Sequence, residues 1–129
     1  MANRWLICGG RDFDDWEMFD AALRSVANNS GVPWVVIHGA AKGADRMADR
    51  WVQEMRAGGV DIQLIRVPAD WERHGRHAGP IRNQQMLDEH NPDLVIAFPG
   101  GRGTADMVSR AKAAEITVIE PKGTQGGRG

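Results

Sequence analysis

The residues Pro99-Gly100-Gly101-Arg102-Gly103-Thr104-Ala105-Asp106 combine closely spaced glycines with a hydroxyl and a carboxylate. Glycine lets a ligand approach the main chain closely. If a helix starts here, its free N–H groups and positive dipole end favour an anion such as phosphate. The reading without a ligand is a tight strand-to-helix turn with Thr104 as its cap. Other stretches carry compatible chemistry. Gly9-Gly10-Arg11-Asp12 offers an arginine fork for phosphate or carboxylate. Gly39 to Asp45 is a second small-residue loop, in which Asp45 either takes a sugar hydroxyl or merely suits the first turn of a helix. Arg82-Asn83 sits where a helix begins, an unfavourable place for a cation with respect to the dipole, so Arg82 serves something other than the helix. Trp71, beside Asp70 in a long loop, could stack on a base. Asp106 and Asp70 are the carboxylates to consider as acid/base groups.

Other chemistries find less support. No Gly-Lys-Ser/Thr completes a P-loop and no G-x-G-x-x-G is present, so neither an ATPase nor a standard dinucleotide dehydrogenase is indicated, and no cofactor is expected. His74-x-x-His77 lacks a third ligand, so no metal is expected; with Arg73, Arg76 and Arg82 these histidines read as an anion-facing flap. Ser109 and Cys8 have no neighbouring base to activate them. The formal net charge is −1, which argues against a protein that lives on nucleic acid, since backbone binding needs a basic excess. Cys8 is the single cysteine, so no internal disulfide can form. With no signal-peptide pattern and no apolar run approaching the roughly 20 residues that span a bilayer, a cytoplasmic protein is expected, with no membrane partner.

These groups need a scaffold, and the 129 residues suffice for one domain with its own core. Trp5-Leu6-Ile7-Cys8, Trp34 to His38, Ile62 to Val67, Asp93 to Ile96 and Ile116 to Ile119 read as buried strands. Between them, Trp16, Phe19, Leu23 and Val26 recur at helical spacing, with Asp14 or Asp15 as cap. Ala44, Met47, Ala48, Trp51, Val52 and Met55 do so again. A third helix is expected from Ile81 to about Glu89, with Pro80 in its first turn, and a fourth from Met107 to near Glu115. Pro68 to Pro80 reads as irregular. The strictly alternating order implies an α/β fold: a single Rossmann-like domain over residues 1–120, with a five-stranded parallel sheet in the order 3-2-1-4-5 and helices on both faces. Residues 121–129 read as a flexible Gly-rich tail. In such a sheet the loops after strands 1, 2 and 4 share one end, where ligands bind at the reversal of strand order.

Assembled in order, the stretches Gly9 to Phe13, His38 to Asp45, Pro68 to Trp71, Ala78 to Met86 and Ala97 to Asp106 resemble the SLOG superfamily, and within it the YspA/YpsA-related family. The resemblance runs from residue 4 to about 119. It implies the Rossmann-like fold and a nucleotide or nucleotide-derived ligand. The residues read as holding such a ligand are Gly9, Gly10, Arg11, Gly39, Asp45, Trp71, Arg82, Asn83, Pro99, Gly100, Gly101, Gly103 and Thr104. The superfamily includes the LOG phosphoribohydrolases and the DNA-processing protein DprA. LOG enzymes carry Pro-Gly-Gly-x-Gly-Thr-x-x-Glu, and Met107 stands where that glutamate would be. Asp106 is one position early, about 100° around a helix. The expectation is therefore a ligand-binding protein, a sensor or a sequestering protein. LOG-type N-glycosidic cleavage is the second reading, and DprA-like binding of single-stranded DNA the third. LOG relatives also imply a possible homodimer.

Overall fold

The computed structural model describes residues 3–122. Of the expected tail, residues 123–129 lie outside the described residues. Five parallel strands form one sheet: β1 (Arg4–Cys8), β2 (Trp34–His38), β3 (Ile62–Arg66), β4 (Leu94–Ala97) and β5 (Thr117–Ile119). Their order is β3-β2-β1-β4-β5, as expected. The register pairs Leu6 with Ile37 on one side and with Val95 on the other.

Side chains alternate across each strand, so the sheet builds two cores. On one face Trp5, Ile7, Val36 and Ile96 meet Phe19, Leu23 and Val26 of α1 (Trp16–Asn28) and Ala48, Trp51 and Val52 of α2 (Ala44–Ala57). On the other, Leu6, Ile37 and Val95 meet Met86 and Leu87 of α4 (Ala78–His90) and Met107 and Ala111 of α5 (Arg102–Ala113). The helix that follows β1 and the one that follows β4 thus lie on opposite faces. The sheet ends are left open between them at the switch point.

Two expectations need correction. Pro68 to Pro80 is not irregular: it contains α3 (Trp71–His74), whose Asp70 cap accepts from Arg73 N at 3.1 Å, and a 3-10 turn over Gly75–His77. The helix after it begins at Ala78, before Pro80, which still lies in the first turn, where a missing N–H costs nothing. The fourth long helix begins at Arg102 rather than Met107. Gly103 and Thr104 are therefore helical, and Gly101, not Thr104, is the cap. Asp15 is the acid that caps α1, accepting from Met18 N at 3.0 Å. Among the described residues no helix is long and apolar enough to cross a membrane.

Candidate functional site: a crevice at the switch point

A crevice of about 1400 Å³ lies over the carboxyl ends of the strands. Its walls come from the loops after β1, β2, β3 and β4 and from the start of α4. All the expected ligand residues line it: Gly9, Gly10, Arg11, Gly39, Asp45, Trp71, Arg82, Asn83, Pro99, Gly100, Gly101, Gly103 and Thr104. So does Asp106, whereas Asp70 is exposed, is occupied as the α3 cap and does not line it.

The loops interlock through glycine. Gly10 N donates to Pro99 O at 2.9 Å, and Phe98 N to Cys8 O at 2.9 Å, which zips the β1 and β4 ends together. A Cβ on Gly100 would collide with Thr104 Oγ1 and stand 2.6 Å from Gly10 N. Gly43, at φ 74°, lies against Gly10 O, where no side chain fits. Two glycines differ. Around Gly101 and Gly103 an added Cβ would meet only open space, so nothing in the fold forbids a side chain there.

The β2 loop is held by buried side chains. Asp45, 6% exposed, accepts through Oδ2 from Gly39 N and Ala41 N, each at 3.1 Å. Ala40 N donates to His38 Nδ1 at 2.9 Å, so the ring proton is on Nε2 and points to Asp49 Oδ1 at 2.5 Å. Asp49 also accepts from Arg66. His38 is thus a hydrogen-bonded core histidine that positions the loop. Burial raises the Asp45 carboxyl above the usual range, against the Ala41 and Gly39 N–H groups and the nearby His38 and Arg82. Its Oδ2 is spent on the loop.

Arg82 and Asn83 cross the crevice floor. Arg82 donates from Nη1 to Gly39 O at 2.5 Å and from Nε to Asn83 Oδ1 at 3.1 Å. Nη2 has no protein partner among the described residues. Burial lowers the guanidinium pKa while Asp45 and Cys8 raise it. Asn83, 5% exposed, donates to Gly103 O at 3.3 Å and to Asp106 Oδ2 at 3.0 Å. Arg110 donates to the same Asp106 oxygen at 2.8 Å. Burial acts to raise the Asp106 carboxyl, but the hydrogen bonds from Arg110 and Asn83 and the Arg110 charge outweigh it, and its pKa is lowered. The neighbouring Met107 is fully buried in the core beneath.

Sequence reasoning leaves Lys42 and Arg102 out of the site, yet both line the crevice and are exposed. Their signal is positional: each is a cation flanked by small residues shortly after a strand. Arg11 makes no ion pair with Asp12 or Asp14 among the described residues. Burial pushes the Cys8 thiol up to about 12, with Asp45 and Glu120 adding to the rise, so it stays protonated and unreactive. Among the described residues no group of three or more His, Cys, Asp or Glu could hold a metal ion.

A switch-point crevice over a 3-2-1-4-5 parallel sheet, walled by glycine loops, defines a Rossmann-like α/β protein. A family model described as the YspA, cpYpsA-related SLOG family matches residues 4–74, and the chain belongs to that family. It is also similar to the Gene 61 protein of Mycobacterium phage D29, 41% identical over 119 residues, which covers 91% of this chain and 94% of the phage protein. No solved structure matches.

Proposed function

We propose that the crevice binds a nucleotide or nucleotide-derived ligand, with its phosphate at the N-terminus of α5, and that the protein acts as a sensor or sequestering protein. The carrying observation is the uncapped helix start. Gly101 supplies no side-chain cap, no acid occupies the first turn, and the first helical bond there runs from Ala105 N to Gly101 O. The N–H groups of Arg102, Gly103 and Thr104 are left for an anion, beside open space at Gly101 and Gly103. Arg11 and Arg82, which line the same crevice, add positive charge to it.

The site favours binding over N-glycosidic cleavage. Met107 faces the core, and Asp106 is paired with Arg110 and held ionised, so it has no proton to give a leaving base. Isothermal titration with AMP, ADP-ribose and cyclic nucleotides tests the reading. Micromolar to low-millimolar binding with the ligand recovered intact is expected. Failure of every one to bind would end the reading, and release of free base, abolished by Asp106→Asn, would favour the enzyme instead.

A further inference from the structure

We infer that Trp71 reads the planar ring of the ligand, so that the crevice selects base-bearing molecules over sugar phosphates. This rests on the phosphate cradle proposed above and extends it to the segment after β3.

Four of the five tryptophans are committed elsewhere. Trp5 and Trp51 are fully buried and contact Trp34, while Trp16 stacks on Phe19 beneath Arg50. Trp71 is 60% exposed, and among the described residues its indole has no ring partner, no cation over its face and no hydrogen bond, its one bond being the backbone one from Gly75 N to Trp71 O. It nevertheless lines the crevice, at the first position of α3, where the Asp70 cap fixes its backbone. An indole left open at a crevice wall offers a large flat surface for stacking, which any base can use.

Its seat supports the same reading. A Cβ on Gly79 would stand 3.7 Å from Trp71 Cη2, so the ring lies over the first turn of α4. Asn83, which reaches Gly103 O, follows four residues later, about 6 Å further along the helix axis. The ring therefore sits over the same helix, one turn before the residue that contacts the start of α5, with both lining one crevice.

The test titrates AMP and ribose 5-phosphate into the wild type, Trp71→Ala and Trp71→Phe. Trp71→Ala should weaken AMP about ten- to hundredfold, with Trp71→Phe keeping AMP within about threefold and ribose 5-phosphate unchanged in all three. If Trp71→Ala leaves AMP within about twofold, or weakens both probes equally, the ring-reading role is overturned while the cradle stands. If the wild type binds neither probe, this role fails, and the cradle stands or falls with the wider nucleotide titration described above.

Discussion

The Nη1 of Arg82 lies 2.5 Å from the carbonyl oxygen of Gly39, and the guanidinium occupies the space where a Cβ on residue 39 would be. One contact therefore joins α4 to the β2 loop across the crevice, and it depends on a glycine. Gly39→Ala should push the end of Arg82 aside rather than move the backbone, because the obstructed group is the tip of a flexible side chain. The loss is then mainly that of the hydrogen bonds, about 1–2 kcal/mol. Arg82→Ala removes the same bonds, so the double variant should be little worse than either single one. Chemical denaturation of the three variants checks this, and simple additivity would show that the two residues act separately.

The scaffold for this contact is readable from residue types alone. Apolar runs such as Trp34 to His38, ended by glycine loops, mark buried parallel strands, and the Ala44, Ala48, Trp51 spacing marks the helix between two of them. Side-chain commitments are not readable in this way. Asp45 appears equally suited to a sugar or a helix turn, and only the fold shows one oxygen holding Gly39 and Ala41. His38 works with Asp49 from the next helix, and Asn83 with Asp106 from another, pairings set by packing between distant segments. The start of α5 is misread from sequence because glycine weakens a helix signal, although at a helix start it costs little.

Asp45 and Asp106 should respond to pH in opposite senses. Burial raises the Asp45 pKa on folding, so its contribution is fully present in acid, below the ordinary aspartate value near 3.9, and is lost as pH rises through the folded value. The lowered Asp106 pKa gives a contribution that is present above the ordinary value and lost as pH falls through the folded one. Thermal melts from about pH 3 to about pH 8 should show Asp45→Asn gaining on the wild type as pH rises. Asp106→Asn should fall behind at neutral pH and draw level in acid. Parallel curves for all three proteins would contradict the assignment.

The central claim is that the space at the start of α5 is kept open for an anion, and it is tested most directly by comparing two alanine substitutions. Gly100→Ala collides with Gly10 and Thr104, so it should destabilise the fold by about 1–3 kcal/mol. Gly103→Ala meets nothing and lies in a helix, so stability should hold or rise by up to about 1 kcal/mol. Gly103 nevertheless lines the crevice, and its N–H belongs to the proposed cradle. Calorimetric titration of AMP into folded Gly103→Ala is therefore the decisive measurement. Affinity reduced by about tenfold or more at undiminished thermal stability is the predicted result, the equivalent of losing one charged hydrogen bond. Wild-type affinity in that variant would show that the anion is not held at the start of α5.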